Sequence, residues 1–364
     1  MRLYFSRLFW CARAQVCAVA LITLVASVQI GFAQQKVNPS ALKVQSIRVD
    51  STVINSFDKV GFGRTKFGKL EWIGGLRLTS KSAAFGGWSG LAIDPGGRGF
   101  LAVSDAGTWM RGRFDYDAGR LKAVSAARLG PLLSLKGRPL GRGRDRDAEA
   151  VAVVNGTTRR GNLLIAFEQN HRIGRFKVNK RGVRKPSSYV RPRKPDRKIR
   201  FNKGFEAITV LKKGRYKGSL LAIAERRHTD KGHHSGWVWV RGKPKRFSII
   251  DKGGHDITDV AALPDGGVLL LERRFRWLEG VRFRVRYVPV TDIRPGAVID
   301  GDVLIEADLS QNIDNMEALA VHQSEDGAFI LTILSDDNFN PVLQQTLLLQ
   351  FRWRHGDKQL SQGG

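Results

Sequence analysis

One seven-residue pattern recurs along the chain at a nearly constant interval. Its clearest copy is GFEAITV at residues 204–210, with close copies at 147–153 and 315–321 and looser ones at 257–262 and 88–93. Aligned on the residue before the apolar run, the copies fall at positions 90, 149, 206, 259 and 317, so the steps are 59, 57, 53 and 58 residues. A repeat of this length is typical of a β-propeller blade.

A second pattern follows each copy, namely an apolar run that ends in an acid. These acids follow the first mark by 15, 19, 19, 13 and 19 residues, and they are Asp105, Glu168, Glu225, Glu272 and Asp336. Of the ten positions that the two patterns define, nine are Asp or Glu and only Gly90 is not, in a chain with 33 acids among 364 residues. Chance explains this poorly, so the acids indicate a shared role.

The repeats also predict the fold class. Short strand signals separated by Gly, Pro and Asp turns begin at Leu70, and no amphipathic helix pattern is evident. Each repeat divides into four strands, except that the last one ends after a third strand at 345–353. Residues 70–78 can supply the missing strand and close the ring without a bare sheet edge. We therefore predict an all-β, five-bladed β-propeller, with a sixth, atypical blade as the alternative.

The first residues have the order of a secretory signal peptide. Three arginines precede an uncharged apolar stretch at 16–30 and the small-residue site Gly31-Phe32-Ala33. We predict cleavage after Ala33 and an exported, periplasmic or secreted protein; an uncleaved anchor is the alternative. The remaining chain divides into a leader at 34–66, a propeller domain at 67–354 and a disordered tail at 355–364, and no later apolar run is long enough to span a membrane.

Cysteine content and charge restrict the chemistry and the partners. Both cysteines, Cys11 and Cys17, lie in the predicted signal peptide, so the mature chain has no disulfide and no cysteine metal site. The formal net charge of +28 favours anionic partners, such as phosphorylated small molecules, envelope polyanions or membrane surfaces. Predicted export makes nucleic acid the least natural of these.

Strand direction places the two acid patterns together. Consecutive strands of a blade run antiparallel, so the start of the first strand and the end of the second lie at one face, around the channel mouth. Basic loops at 136–146 and 184–203 open at the same face. Clustered carboxylates need a cation, and a divalent ion of the calcium class suits oxygen ligands. The predicted metal ligands are Asp105, Glu149, Glu206, Asp259, Glu317 and Asp336.

Residues beyond the second acids extend the predicted site. Arg227 and Arg274 share a strand face with Glu225 and Glu272, because side chains alternate along a strand. We expect the arginines to orient an anionic substrate and either glutamate to act as general base, with further substrate contacts from His171 and Asn338. Alternatively, the acids accept backbone hydrogen bonds from the next blade, and the arginines are their salt-bridge partners.

Other constellations give weaker signals. Asp145, Asp147 and Glu149 alternate, which presents three carboxylates together or else a solvated strand entry. Histidines at 233–234 and 255 show no metal-ligand spacing. Residues 86–90 do not match the nucleophile motif of serine esterases, and the glycines form no phosphate loop.

At these residues the chain resembles the bacterial phytase-like family, also described as esterase-like activity of phytase. The resemblance covers about residues 66–353 and rests on LEWIGGL at 70–76, FGGWSGL at 85–91, VSDAG at 103–107, the Glu-Ala repeats, ERR at 225–227, ERRF at 272–275 and SDDNFN at 335–340. It implies an exported β-propeller, with hydrolysis of phosphate or other esters suggested by the family description. It implies no catalytic residues.

Three functions follow as hypotheses. The first is a metal-assisted hydrolase of a phosphorylated or otherwise anionic small ester. The second is a non-catalytic propeller that binds an anionic envelope polymer or a protein partner, since a propeller fold does not determine function. The third is a lactonase-type propeller hydrolase.

Overall fold

Five sheets make up the protein in the computed structural model, which describes residues 39–61, 63–141, 143–191, 204–229 and 231–355, without the side chains of 225–228. In these residues there are 25 strands and one short 3₁₀ helix, Pro39–Ala41. The predicted all-β class is confirmed. The predicted signal peptide and the tail beyond residue 355 lie outside the described residues. No helix among the described residues has the length and apolar character needed to cross a membrane.

Each sheet is one blade, and its strands run from the innermost outwards. Blade 1 contains β5 (Trp88–Ile93), β6 (Gly99–Ser104), β7 (Thr108–Asp117), β8 (Arg120–Pro131) and β1 (Gln45–Ser46). Blade 2 contains β9 (Ala148–Gly156), β10 (Gly161–Phe167) and β11 (Arg172–Asn179), with β12 (Gly182–Val183) and β13 (Ser188–Val190) both beside β11. Blade 3 contains β14 (Phe205–Val210), β15 (Leu220–His228), β16 (His234–Val240), β17 (Lys243–Ile249) and β21 (Val298–Ile299).

The last two blades follow the same order. Blade 4 contains β18 (Asp256–Ala262), β19 (Val268–Arg276), β20 (Gly280–Val288) and β22 (Asp302–Ala307). Blade 5 contains β23 (Met316–Gln323), β24 (Phe329–Ser335), β25 (Thr346–Trp353), β4 (Leu70–Thr79) and β2 (Asp50–Ile54), with β3 (Lys66–Phe67) also beside β4. The strands of the five sheets pair antiparallel except for the short parallel pair of β17 and β21.

The innermost strands form a closed ring. β5, β9, β14, β18 and β23 contact one another in that order, and β23 contacts β5. This confirms the five-bladed propeller, and the described residues contain no sixth sheet. β4 pairs with β25, with Leu348 opposite Leu76, so the N-terminal strand completes the last blade as predicted.

Strands of the leader join the first and last blades. β1 pairs with β8 at the edge of blade 1, and β2 pairs with β4 at the edge of blade 5. The Val124 amide donates a hydrogen bond of 3.1 Å to the Ser51 hydroxyl, which ties β2 to blade 1 as well. This short segment therefore covers sheet edges that would otherwise expose unpaired backbone groups.

Small residues on the inner strands allow the blades to approach closely. Ala148, Ala150, Ala207 and Ala318 have no exposed surface. Gly90, the one residue of the ten repeat positions that is not an acid, lies against blade 2. A Cβ atom at Gly90 would lie 2.8 Å from the Cα of Ala150 and 2.9 Å from the amide nitrogen of Val151. The glycine is thus required by backbone packing between blades 1 and 2.

We predict that Gly90→Ala destabilises the protein by about 1–3 kcal/mol, because the added methyl group would overlap the backbone of β9. Gly96→Ala is the matched control, since nothing lies within 4 Å of a Cβ at Gly96. The free energy of unfolding of this control should stay within about 0.5 kcal/mol of the native value. Denaturant unfolding of both variants makes the comparison, and equal stabilities would contradict the proposed blade contact.

Candidate metal centre at the channel mouth

Every inner strand has a β-bulge at the same point, close to its first residues. In β9, Ala148 pairs with Phe167 and Ala150 pairs with Ala166, which leaves Glu149 as the extra residue. The equivalent extra residues of the other inner strands are Ser89, Glu206, Thr258 and Glu317. In blades 1 and 4 the structural equivalent therefore lies one residue before the position chosen by sequence alignment. Three of the five bulges carry an acid.

The second acid position also differs in blade 4. Asp105, Glu168 and Asp336 each come directly after the residue that pairs with the inner-strand residue just before the bulge. In blade 4 this pairing residue is Glu272 itself, opposite Ile257, so Arg273 takes the position of the acids. A shift of one residue moves a side chain to the other face of a strand. We call the end of the ring that carries these positions the mouth.

Three carboxylates of blade 2 lie together at the mouth. Oxygen atoms of Asp147, Glu149 and Glu168 all lie within 4.8 Å of one another, and each side chain is half-buried. The Glu168 amide donates a hydrogen bond of 3.0 Å to the Asp147 carbonyl, which aligns the two strands at this point. The alternation of Asp147 and Glu149 thus presents two of the carboxylates, and the neighbouring strand β10 ends at the third.

The electrostatics of this triad disfavour three free charges. Burial, followed by the charges of Asp147 and Asp105, raises the pKa of Glu149 well above its usual value. Glu168 and Glu317 add to the same effect. The carboxylates of blades 1, 2 and 5 are therefore close enough to repel one another. A cation among them would relieve the repulsion and favour the ionised forms.

Blade 5 contributes two further acids to the mouth. Burial is the main cause that raises the pKa of Glu317, and the nearby Arg273 opposes it. Arg273 lies 3.3 Å from a carboxylate oxygen of Glu317 and also donates a hydrogen bond to Asn315. Burial, then the charges of Asp105 and Glu317, raises the pKa of Asp336 well above its usual value.

Asp259 does not take part in the triad but links two inner strands. Its buried carboxylate accepts hydrogen bonds of 2.8 Å from the amides of Val260 and Leu319, the latter on β23. Asp337 acts in the same way between blades 5 and 1, since it accepts a hydrogen bond of 3.0 Å from the Gly87 amide. The alternative expectation, that acids accept backbone hydrogen bonds from the next blade, therefore describes these two residues.

The remaining mouth residues lie around the triad. Glu206 is half-buried at the bulge of β14. His171 and Glu168 both approach Gly204, because a Cβ at Gly204 would lie 2.7 Å from His171 Nδ1 and 2.8 Å from the Glu168 Cα. Asn338 is exposed, and its amide donates a hydrogen bond of 2.7 Å to Asp336.

Glu272 and Arg274 lie away from this cluster. Glu272 has no exposed surface and accepts hydrogen bonds from Arg284, at 2.6 Å, and from Arg286. Arg274 donates to Glu279 of its own hairpin and, at 3.0 Å, to the Gly253 carbonyl. The side chains of Glu225 and Arg227 lie outside the described residues, so their assigned roles stay predictions.

The predicted metal ligands did not include Asp147 and Glu168, and sequence reasoning missed Arg273. In the sequence, Asp147 belongs to an alternating row of acids and Glu168 ends an apolar run. The antiparallel pairing of β9 with β10 brings these two residues together. Arg273 was missed because the second acid of the fourth repeat follows the first mark by only 13 residues, so the repeats were difficult to align at this point.

Fold and site together define a five-bladed β-propeller with crowded carboxylates at one end of its inner ring. The chain belongs to the phytase-like family, described as esterase-like activity of phytase, whose model matches residues 83–339. A comparison with curated proteins gives no match. Among solved structures, the PQQ-bound form of aldose sugar dehydrogenase from Streptomyces coelicolor aligns over 87% of this chain and 99% of its own, with 11% identity and a TM-score of 0.38. A similarity at this level supports no conclusion about the present chain.

We predict that Glu272→Gln lowers the free energy of unfolding by about 3–5 kcal/mol, because it leaves two buried guanidinium groups without their counter-charge. Glu279→Gln is the control. It removes the same charge from the exposed residue Glu279, which contacts Arg274 and Arg276 in the same blade and is screened by solvent. Chemical denaturation that shows equal effects for the two variants would contradict the structural role of Glu272.

We also predict an unusual pH dependence of thermal stability. Because the folded-state pKa of Glu149 lies above its unfolded value near 4.5, the folded protein holds this proton more tightly, so stability falls as the pH rises above that value. Added Ca²⁺ should raise the melting temperature, and more at pH 8 than at pH 5.

Glu149→Gln tests the assignment to this residue, because it removes the charge while keeping the side-chain shape. The variant should flatten the dependence on pH in the absence of metal and reduce the effect of Ca²⁺. A native protein with a melting temperature that is insensitive to Ca²⁺ at every pH from 5 to 8 would contradict the prediction.

Proposed function

We propose that the protein is a metal-assisted hydrolase of phosphorylated or otherwise anionic small-molecule esters. The observation that carries this proposal is the carboxylate triad of Asp147, Glu149 and Glu168 at the mouth. Membership of a family described as esterase-like activity of phytase supports ester hydrolysis as the reaction class. The alternative reading of blade 2, a solvated strand entry, does not explain why three acids lie so close together.

The triad fits a hard divalent cation, and we propose calcium. Calcium takes oxygen ligands at about 2.3–2.6 Å, so ligands on opposite sides of the ion lie about 5 Å apart. Carboxylate oxygens within 4.8 Å of one another match this requirement. A bound cation of this kind lowers the pKa of a coordinated water and offsets charge that develops on a phosphoryl or carbonyl oxygen.

The protein's own side chains would orient the substrate and accept the proton. Arg273 contacts the acid cluster and is held by Glu317 and Asn315, and its guanidinium group suits phosphate or carboxylate oxygens. We assign the general base to Asp336, because it lies among the acids of the mouth, where burial and the charges of Asp105 and Glu317 raise its pKa. Both carboxylate oxygens of Glu272 are bonded to buried arginines, Arg284 and Arg286, so we do not retain Glu272 as the base.

The partner and the compartment form part of the same proposal. A net charge of +28 supports attraction of anionic substrates in the envelope or outside the cell. Basic residues also lie near the mouth, since Arg144 and Arg146 directly precede the acids of blade 2. They would attract an anion towards a mouth whose acids are neutralised by the cation.

One observation favours the second candidate function, the binding of a polyanion. A groove of about 400 Å³ lies between blades 2 and 3, and it is lined by Arg175, Lys217 and Arg241 beside the apolar floor of Trp239 and Leu220. No acid lines this groove. Such a surface could hold part of an anionic polymer without any hydrolysis.

We predict that Glu149→Gln and Glu168→Gln each lower calcium affinity and ester hydrolysis by at least about tenfold, because each removes a charged ligand. The measurement is turnover of a panel of phosphate monoesters, carboxylic esters and lactones by the purified protein, with and without a chelator. Glu71→Gln, an exposed acid on an outer strand, is the matched control and should behave like the native protein.

The panel also separates the candidate functions. Chelator-sensitive hydrolysis of uncharged lactones alone would favour the lactonase hypothesis. Salt-sensitive retention on a polyanion without turnover of any ester would favour the binding module. Turnover that neither the chelator nor the two triad variants reduce would contradict the proposed metal centre.

A further inference from the structure

A hairpin of blade 4 projects from the mouth face and ends in exposed apolar side chains. β19 and β20 continue beyond the level of Glu272 through four more residue pairs, from Arg273 and Phe283 to Arg276 and Gly280. At about 3.3 Å per residue, the tip stands about 13 Å above that level. There Trp277 is 85% exposed and Leu278 is 94% exposed. Isolated exposed apolar residues are common, but a projecting Trp-Leu pair is not explained by folding.

Two other segments bring apolar side chains to the same rim. Leu309 packs against the hairpin next to its tip, because a Cβ atom at Gly280 would overlap its Cδ1. The loop that carries Val60, which is 90% exposed, lies beside Ser310, since the Lys59 amide donates a hydrogen bond of 3.0 Å to the Ser310 carbonyl. Residues far apart in sequence thus form one exposed apolar rim.

The charge around this rim is positive. Its cations are Lys59, Arg64, Arg274, Arg276 and Arg282, and its acids are Asp58, Glu279 and Asp308. Glu279 alone faces three of these arginines at 4 Å or less. The rim therefore combines an excess of guanidinium groups with a tip of tryptophan and leucine.

We propose that this rim docks onto the surface of a bilayer that contains anionic lipids. Tryptophan favours the headgroup region, the neighbouring leucine would enter the acyl boundary, and the arginines would bind lipid phosphates. A narrow convex tip suits a deformable lipid surface better than a second protein, which needs about 800 Å² of complementary surface on each partner. The proposal does not depend on hydrolytic activity.

Sedimentation with vesicles tests the proposal. The native protein should bind vesicles of phosphatidylglycerol mixed with phosphatidylcholine, and only weakly those of phosphatidylcholine alone. The double variant Trp277→Ser with Leu278→Ser should lose about tenfold or more of this affinity, because it removes the apolar tip. Unchanged melting temperatures would show that the variant folds, as expected for such exposed positions.

Two further variants distinguish the contribution of the apolar tip to vesicle binding from that of the positive charge. Val298→Ser removes an exposed apolar side chain on β21, the edge strand of blade 3, and it should bind vesicles like the native protein. Arg276→Gln should weaken binding to the anionic vesicles and reduce its sensitivity to salt.

Three outcomes would overturn the proposal. In the first, the native protein does not bind anionic vesicles. In the second, the double variant binds them with native affinity. In the third, the double variant changes self-association, measured by light scattering, but not vesicle binding. The second outcome would assign membrane attraction to net charge alone. The third would identify the tip as a contact between copies of this chain.

Discussion

The mouth of this propeller depends on one backbone irregularity that recurs in all five blades. At each bulge an extra residue interrupts the pairing of the innermost strand with its neighbour, close to the point where the second strand ends. A bulge re-aims a side chain at the rim of a closed sheet system. Glutamate occupies three of these positions, at 149, 206 and 317, whereas the small hydroxyl residues Ser89 and Thr258 occupy the others. The repeat is therefore symmetric in its backbone and asymmetric in its charge.

Similar acids in this ring serve two different purposes. Asp259 and Asp337 are buried and bonded to backbone amides of neighbouring blades, so they stabilise the ring. The triad of blade 2 is half-buried, and the pKa of Glu149 is raised by burial and by like charge. Such crowding opposes ionisation of Glu149, and a cation bound among these carboxylates would relieve the repulsion.

Much of the fold was readable from the sequence, because blade repeats and strand periods depend on local patterns. The closing role of residues 70–78 and the five blades follow from counting strands. The site was harder to predict from the sequence, because a one-residue difference in strand register decides on which face of the strand a side chain lies. That difference places Arg273 at the mouth and buries Glu272 between two arginines. Asp259 shows the same limit, because alignment could not distinguish it from the bulge residue Thr258.

The acid triad and the apolar rim lie on the same face of the propeller. The central claim is that Asp147, Glu149 and Glu168 hold one cation. The most direct measurement is a crystal structure of the protein with terbium in place of calcium, read from anomalous scattering, which marks the metal position without reference to activity. The account predicts a peak in contact with these three carboxylates. A map with no peak among them, at a terbium concentration that stabilises the protein, would contradict it.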